Sequence, residues 1–325
     1  MPPVRYEIAT ELRQPVLAEI LALIEHCTRV EGHRPVGEHK YAHLLGAPGG
    51  WTGVLARRAD ELVGYAHLRW NPAGDGPRLA AEVVVHPGED RDEVARHLVE
   101  EVRALLARAG GGVLWLWVHR VQDAATTLAA RMGFSIQREL AFMTRRLAAA
   151  PEWRVPDGVT VRPYRPGPDD AALLRVNNAA FAGHPENGGW TAATLEQRRS
   201  LDWFDPAGVL LAWRGERLLG FHWTKWHGHD SDEVPVHEPV GEVYVLAVDP
   251  VAHGTGLGRL LLRAGLAHLH GRGCRVAVLY VDAASGPALA LYRSEGFVEE
   301  YREVCYEAVV PPEPAQPAVD LLRPA

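Results

Sequence analysis

The sequence predicts a mixed α/β protein in which two copies of one unit follow each other along the chain. Segments with strand and helix periodicity alternate over the 325 residues, and the composition, 47% apolar and 23% charged, is that of a globular protein. Two stretches also end alike, because Pro87 precedes Gly133 by 46 residues and Pro250 precedes Gly296 by the same number. This constant offset of 163 residues indicates an internal duplication.

The elements of the first half follow from their hydrophobic periodicity. A helix is expected after Pro15, in VLAEILALIEHC, and a hairpin should follow from the strands TGVLARR and LVGYAHLRW around the turn ADE. Next come a strand in LAAEVVVHP, a charged helix, a strand in GVLWLWVHR, a short helix and RMGF.

The second half repeats this order with different residues. Helices are expected in DDAALLRVNNAAF and TAATLEQRRS, and a hairpin in GVLLAWR and LLGFHWTKW around GER. The strand EVYVLAVDP, a Gly-rich turn with a helix, the strand RVAVLYVDA, a short helix and SEGF complete it. The Ala- and Pro-rich segment 148–158 separates the halves, so we predict domains over 1–150 and 151–325, with a Pro-rich tail from about residue 311.

Charge and cysteine content restrict the class of protein. The formal net charge of -7 provides no general electrostatic footprint for nucleic acid. Three widely spaced cysteines without a C-x-x-C pair are typical of a reducing cytoplasm. The sequence shows no signal-peptide pattern and no apolar run of about 18 residues. We therefore expect a cytoplasmic monomer that acts on small molecules and binds neither nucleic acid nor membrane.

A Gly-rich turn is the clearest motif for ligand binding. The segment HGTGLGR (253–259) follows a strand that ends at Asp249-Pro250, and it opens an amphipathic helix. Glycines permit a close approach of the backbone, and free amides at a helix N-terminus bind anions. The turn therefore predicts a site for phosphate or pyrophosphate, although an ordinary structural turn would give the same pattern. A Walker A turn is excluded because Gly-Lys-Ser/Thr is absent, and a Rossmann turn usually opens its domain.

Taken together, these pieces resemble the GCN5-related N-acetyltransferase (GNAT) family. In that family an acetyl-CoA turn, Arg/Gln-x-x-Gly-x-Gly/Ala, is followed by a strand, a helix that carries Tyr, and a Gly-Phe turn. The corresponding segments here are HGTGLG (253–258), RVAVLYVDA (275–283), Leu291-Tyr292 and Gly296-Phe297. The resemblance covers both halves, so it implies two tandem GNAT domains of the acyl-CoA N-acyltransferase fold, with acetyl-CoA as co-substrate. His253 departs from the Arg or Gln of the family, which weakens one charged contact but leaves the backbone turn.

Longer segments of the second half resemble the mycothiol synthases of actinobacteria, a family of tandem acetyltransferases. They are RVNNAAFAGHPENGGWT (175–191), WFDP (203–206), GFHWTK (220–225) and GEVYVLAVDP (241–250), and PVGE (35–38) extends the match into the first half. The strong bias to arginine, with Lys40 and Lys225 the only lysines among 34 basic residues, suits a GC-rich genome of that lineage. The resemblance implies transfer of acetyl from acetyl-CoA to the cysteinyl amine of desacetylmycothiol, without a metal.

Acetyl transfer from a thioester to an amine requires a deprotonated amine, a stabilised oxyanion and a proton for the leaving thiolate. The resemblance implies that Glu242 is the general base and Tyr292 the general acid. A solvated strand-edge carboxylate and an aromatic core residue, respectively, are the alternatives for these two positions.

The resemblance also implies which residues bind the two substrates. Acetyl-CoA is expected at the strand, at the turn and at the start of the next helix: Leu246, Ala247, Val248, Gly254, Thr255, Gly256, Leu257, Gly258, Arg259, Ser285, Gly286, Pro287, Ala288, Leu289 and Ala290. The family often has Asn where Ser285 stands, so one side-chain hydrogen bond is expected to be shorter or lost. The acceptor is expected at Glu38, Glu186, Lys225, Glu242 and Tyr280. Lys225 is the only lysine of the second half, and chance retention is its alternative explanation.

The first half lacks the counterparts of these residues. With the offset of 163, the three glycines correspond to Arg91, Glu93 and Ala95, Tyr292 to Ala129, and Glu242 to Leu79. We therefore predict a degenerate, non-catalytic GNAT domain that contributes Glu38 to the acceptor site. The resemblance still allows acetyl-CoA at the strand Val83, Val84 and Val85, but the missing glycines weaken that expectation.

Two further patterns suggest no additional chemistry. His222, His227, His229, His237, Asp230 and Asp232 form a His/Asp-rich stretch that matches no metal template and is interpreted as a hairpin loop. Cys27, Cys274 and Cys305 show no signature of an acyl-cysteine nucleophile. Two other functions remain open: a tandem GNAT that acetylates another amine, such as an aminoglycoside or a protein N-terminus, and a non-catalytic acetyl-CoA-binding protein.

Overall fold

The computed structural model describes residues 2–37, 41, 44, 51–71, 77–184, 187–228 and 238–313. The strands are β1 (Val4–Ala9), β2 (Thr52–Arg58), β3 (Glu61–Asn71), β4 (Arg78–Val85), β5 (Gly112–Val118), β6 (Ser135–Arg146), β7 (Thr160–Pro163), β8 (Val209–Arg214), β9 (Arg217–His227), β10 (Val240–Val248), β11 (Val276–Asp282) and β12 (Val298–Val310). The helices are α1 (Gln14–Glu31), α2 (Arg91–Arg108), α3 (Asp123–Arg131), α4 (Asp170–Ala180), α5 (Ala192–Arg199), α6 (Leu257–Gly271) and α7 (Gly286–Ser294). The predicted mixed α/β architecture is confirmed.

The chain forms two compact units, one of residues 1–139 and 302–325 and the other of residues 140–301. In the first unit the sheet order is β1-β2-β3-β4-β5-β12. Only the β4–β5 pair is parallel in that sheet. In the second unit the order is β7-β8-β9-β10-β11-β6, and only the β10–β11 pair is parallel. The two sheets therefore have the same topology, as expected of a duplication.

The last strand of each sheet comes from the other half of the sequence. Strand β12 pairs with β5 over 304–310, and β6 pairs with β11 over 140–146. The boundary predicted near residue 150 follows the repeat in the sequence. The compact units differ from it, because each sheet is completed by a strand from outside its own half.

Alternating side chains place the core on both faces of each sheet. In the first unit, Val54 packs in the cluster that includes Leu98 of α2, whereas its neighbour Leu55 packs in the cluster that includes Ile24 of α1. In the second unit, α6 contributes Leu262, Leu266 and Leu269 to one cluster, while α4 covers Phe221 and Trp223 of β9 in another. Among the described helices, none has the length and apolar character needed to cross a bilayer.

A buried histidine of β9 packs against α6, the helix that follows the Gly-rich turn. His222 of β9 is 0% exposed, and its Nδ1 lies 2.9 Å from the Leu261 carbonyl oxygen. The imidazole fits because Gly265 has no side chain: a Cβ at that position would lie only 2.0 Å from Nδ1. Its Nε2 is buried and has no hydrogen-bond partner among the described residues. Burial lowers the pKa of His222 to about 4.

We predict that the second unit loses stability on mild acidification because of this histidine. The unfolded chain binds the proton near the ordinary pKa of about 6.5, whereas the folded chain binds it only near pH 4. Stability is therefore full above about pH 6.5 and falls by up to about 3 kcal/mol toward pH 4. Burial of His268, which also lowers that histidine's pKa, acts in the same direction.

Urea unfolding at pH 7 and pH 5 measures this loss. His222→Asn retains a donor for the Leu261 carbonyl without titrating, so it should flatten the pH dependence. Gly265→Ala, which places a methyl group against the ring, should destabilise the protein at both pH values by about 1–3 kcal/mol. An unchanged pH dependence in His222→Asn would contradict the account.

Candidate active site

The two parallel strands of the second unit separate after a short ladder. Strand β10 pairs with β11 over three residue pairs, Val240 with Val276 through Glu242 with Val278, although both strands continue. The register between β10 and β9 also shifts between Val243 and Val245, which leaves Tyr244 as the extra residue of a β-bulge. A bulge bends its strand and increases the local twist. The fork between β10 and β11 therefore begins beside this bulge.

The first unit has a longer parallel ladder and no bulge at the equivalent strands. The parallel β4–β5 ladder covers five residue pairs, from Arg78 with Val113 to Glu82 with Trp117. The β3–β4 register runs without a shift from Gly64 with Val85 to Asn71 with Arg78. The segment Val83–Val85, where the resemblance allows acetyl-CoA, also lies beyond the last pair with β5, but it pairs with β3 without a bulge, and Val84 is only 1% exposed.

Glu242 lies at the last paired position before the strands separate. Its side chain is 14% exposed, and Oε2 lies 2.7 Å from Nε2 of His227 and 4.0 Å from Nζ of Lys225, its cross-strand neighbour. A largely buried carboxylate with two nitrogen neighbours is not a solvated strand-edge residue. The carboxylate is positioned to accept a proton beside the fork.

Lys225 is buried against the indole ring of Trp203. Its side chain is 3% exposed, and Nζ lies 4.8 Å from the ring centre of Trp203. Trp203 in turn contacts Tyr244 edge to face, with ring centres 4.8 Å apart. A cation near an aromatic face is favourable when it is desolvated. The bulge residue, the lysine and the carboxylate therefore belong to one packed group.

Tyr292 lies on α7 in the core beside the fork strands. It is 8% exposed and packs edge to face on Phe297, with ring centres 5.8 Å apart. The Tyr292 hydroxyl makes no hydrogen bond within the part of the chain that the structure describes. Burial raises the pKa of Tyr292 above its ordinary value, so the phenol stays protonated at neutral pH. Tyr292 thus has a packing role, and it also retains a hydroxyl available for a ligand.

The Gly-rich turn has an open backbone that leads into an uncapped helix N-terminus. Gly254 and Gly256 have φ values of 74° and 82°, and α6 begins at Leu257 without a side-chain cap. A Cβ at either glycine would meet no protein atom within 4 Å. The first amides of a helix have no partner within the helix, and the positive end of its dipole favours anions. The amides of Leu257, Gly258 and Arg259 therefore remain available to a phosphate group.

In the first unit, a side chain caps the corresponding helix N-terminus. Helix α2 begins at Arg91, the counterpart of Gly254, so it starts three residues earlier than α6 does in the repeat. Asp90 caps it by accepting a hydrogen bond from the Glu93 amide at 3.1 Å. Asp92 and Glu93 add carboxylates to its first turn. An anion would meet an occupied amide and like charges there.

The other residues predicted to bind the cofactor lie on β10, at the start of α7 and at the turn. Leu246, Ala247 and Val248 lie on β10 beyond the last pair with β11. Segment 285–290 forms the N-terminus of α7, where the Ser285 side chain makes no cap hydrogen bond. His253 Nε2 lies 3.1 Å from the Val248 carbonyl oxygen, so its imidazole folds back on the strand. Arg259 pairs with Glu295, with Nε 3.0 Å from Oε1.

The acceptor residues are placed only in part. Lys225 and Glu242 are neighbours, whereas Glu38 and Glu186 lie outside the described residues. Tyr280 of β11 is 44% exposed, its ring centre lies 4.9 Å from that of Phe142, and its hydroxyl oxygen lies 3.3 Å from that of Tyr301. This group of three aromatic side chains borders β11 and offers two hydroxyls.

The interpretation of the His/Asp-rich stretch as one loop is wrong for two of its residues. His222 is buried within β9, and His227 is the last residue of that strand, where it contacts Glu242. The strand extends further because both residues pair in register with β10. His229, Asp230, Asp232 and His237 lie outside the described residues. Among the residues that the structure does describe, no group of three or more potential ligands could hold a metal ion. Sequence reasoning missed His227 as a neighbour of Glu242, because its register opposite Val240 is visible only in the structure.

Comparisons with known proteins agree with this geometry. The model of the acetyltransferase (GNAT) family matches residues 17–134 and 176–297. A mycothiol acetyltransferase of Thermomonospora curvata is 45% identical over 92% of this chain and 96% of the relative, and one of Nocardia farcinica is 45% identical over 88% and 92%.

Solved structures give the same fold at lower identity. A GCN5-related N-acetyltransferase from Sphaerobacter thermophilus has a TM-score of 0.71 at 22% identity, covering 96% of this chain and 98% of its own. A tandem GNAT protein from the clavulanic acid biosynthesis pathway also has a TM-score of 0.71, at 18% identity, covering 96% and 100%. The predicted tandem GNAT fold is thus confirmed, and so is the assignment as an acyltransferase. The chain belongs to the acetyltransferase (GNAT) family and, within it, to the mycothiol acetyltransferases.

Proposed function

We propose that the protein transfers acetyl from acetyl-CoA to the cysteinyl amine of desacetylmycothiol, giving mycothiol. The observation that carries this proposal is the fork between β10 and β11, with Glu242 at its base and the open turn at its far end. The similarity to mycothiol acetyltransferases supports this choice of acceptor. The second unit is the catalytic one in this proposal.

The cofactor enters along the fork. GNAT enzymes use acetyl-CoA, and the backbone of Leu246–Val248 faces the space where β11 has left the ladder. Amides there would bind the pantetheine arm and the thioester carbonyl oxygen. The amides of 254–259 would bind the pyrophosphate, and segment 285–290 would cover its other side. An oxyanion that forms at the thioester is stabilised by donors already fixed in place.

Glu242 removes the proton from the acceptor ammonium, directly or through a water molecule. An α-amine has a pKa of roughly 7.7–8, so a modest base suffices at neutral pH. The neutral nitrogen then attacks the thioester carbon, the C–N bond forms and the C–S bond breaks. Tyr292 supplies a proton to the departing thiolate, the nitrogen loses its extra proton to solvent, and a proton from solvent restores Tyr292, which leaves an amide and free CoA.

In this proposal the acceptor is bound by four further side chains, those of Lys225, Tyr280, Glu38 and Glu186. A sugar–inositol conjugate has many hydroxyls and one ammonium, which suit carboxylates, a lysine and a phenol.

The burial of the cysteines also agrees with direct transfer, without an acyl-cysteine intermediate. Cys27, Cys274 and Cys305 are all buried, and burial raises the pKa of Cys27 to about 11. A buried thiol of raised pKa is a poor nucleophile.

The acceptor is tested with purified protein by following CoA release from acetyl-CoA. We expect turnover with desacetylmycothiol, and little with an aminoglycoside or with a peptide that has a free N-terminus. Preference for either alternative amine would identify another tandem GNAT activity. Binding of acetyl-CoA without turnover on any of the three amines would favour a non-catalytic protein.

We predict that Glu242→Gln lowers kcat/KM at pH 7 by about 100-fold or more, because the amine then loses its base. Part of the loss should be recovered at pH 9, where the free amine is already neutral. The measurement is a pH–rate profile, with acetyl-CoA binding by calorimetry as the control for an intact cofactor site. A profile of the same shape as that of the wild type would contradict the role of Glu242.

Tyr292→Phe should lower kcat at least about tenfold while the Kd for acetyl-CoA stays the same. A proton donor acts in the transition state, and the phenyl ring preserves the packing on Phe297. Tyr306→Phe is the matched control, because Tyr306 is a buried tyrosine of the first unit. Full kcat in Tyr292→Phe would show that this tyrosine has a packing role alone.

One productive acetyl-CoA per chain is expected, in the second unit. Gly256→Glu copies the charge of Glu93 into the open turn and should abolish acetyl-CoA binding and turnover together. Gly256→Asn is the control, because Asn tolerates positive φ without adding charge. Glu93→Gly should leave turnover nearly unchanged. Calorimetry and the activity assay measure both effects, and turnover in Gly256→Glu or a strongly altered rate in Glu93→Gly would overturn the proposal.

A further inference from the structure

A cavity lined by two arginines lies beside the Gly-rich turn. A cavity of about 250 Å³ separates the β8–β9 hairpin from the segment that leads into α6. Its lining residues are Arg214, Arg217, Leu219, Val251, Ala252 and Thr255. Of the residues that the structure describes, two arginines and no acidic residue line the cavity, and Thr255 stands between Gly254 and Gly256. The cavity is therefore positively charged and opens where the proposed pyrophosphate site begins.

The two arginines differ in their partners. Arg217 lies 3.2 Å from Oδ2 of Asp249, a carboxylate that Arg175 already contacts at 2.7 Å. Arg214 is exposed and has no ion pair or side-chain hydrogen bond among the described residues. Asp249 is thus shared between two guanidinium groups, and the charge of Arg214 is uncompensated.

The first unit shows the same corner with the charge compensated. Its hairpin pairs Arg58 with Glu61 after a register shift, as the second hairpin pairs Arg214 with Arg217 after one. Arg58 therefore corresponds to Arg214. The Arg58 guanidinium donates to Glu89, with Nε 2.9 Å from Oε1. With the repeat offset, the counterpart of Glu89 is Ala252, which lines the open cavity.

We infer that this cavity binds the 3′-phosphate of coenzyme A, with Arg214 as its main ligand and Arg217 as its neighbour. The inference rests on the proposed function, because it takes the pyrophosphate to bind at the turn. A ribose 3′-phosphate is the remaining anion of that cofactor, whereas the acceptor carries an ammonium and hydroxyls. A guanidinium group matches phosphate oxygens in a two-pronged geometry. Replacement of the acid by Ala252 leaves the arginine available to a ligand.

The test compares acetyl-CoA with acetyl-3′-dephospho-CoA by calorimetry on the full chain, without acceptor. The wild type should bind acetyl-CoA at least about tenfold more tightly, as expected for a charge-assisted contact. The difference should shrink as salt is raised. Arg214→Ala should reduce the preference to within about twofold by weakening acetyl-CoA alone.

A second pair of variants uses the repeat itself. Ala252→Glu introduces the acid that Glu89 supplies in the first unit, so it should pair with Arg214 and remove the preference. Ala252→Gln has the same size without the charge, and it should retain most of the preference.

Three results would overturn the inference. They are equal affinity of the wild type for both cofactors, equal weakening of both cofactors by Arg214→Ala, and equal behaviour of the Glu and Gln variants at position 252. Each of them leaves the proposed acetyl transfer intact as long as acetyl-CoA binds. If the wild type binds neither cofactor, both the inference and the proposed function are wrong.

Discussion

The separation of β10 from β11 is the constraint on which the functional geometry depends. Inside a sheet, each strand satisfies the backbone groups of its neighbours, so a strand that loses its neighbour must find other partners. Beyond Glu242, the side of β10 that faces β11 has no ladder. The bulge at Tyr244 marks where this happens, and it brings that residue against Trp203, which also contacts Lys225. One irregularity thus accounts for the space, its backbone donors and the placement of the two charged side chains.

The duplication supplies an internal comparison for each part of this geometry. The first unit has the same strand order, but its parallel ladder is longer, its counterpart strand has no register shift, and its helix N-terminus is capped by Asp90. Leu79 and Ala129, both buried, stand in place of the carboxylate and the phenol. The arginine of its hairpin is neutralised by Glu89. The first unit therefore retains the scaffold while each feature of the proposed chemistry is replaced by an ordinary packing or capping contact.

Much of the architecture could be predicted from local sequence patterns. The repeat, the helices and the Gly-rich turn follow from periodicity and from the spacing of glycines, because these depend on neighbouring residues. The exchange of β6 and β12 could not be predicted, because alternation of side chains specifies a strand and not its partner. The bulge could not be predicted from the sequence either, because buried and partly buried residues alternate along β10 through Tyr244 as they do in a regular strand. His227 was hidden for a similar reason: it follows the predicted strand LLGFHWTKW in a polar stretch, and only its pairing with β10 shows that the strand includes it.

Hydrogen exchange with and without acetyl-CoA tests the central claim, that the cofactor occupies the fork and turn of the second unit, most directly. We expect added acetyl-CoA to slow exchange at the amides of 254–259 and at those amides of 245–248 that point away from β9, because these amides have no strand or helix partner on the ligand side. We expect no change at 86–96, where the Asp90 side chain caps α2. Protection that rises with acetyl-CoA at 86–96 and is absent at 254–259 would contradict this claim.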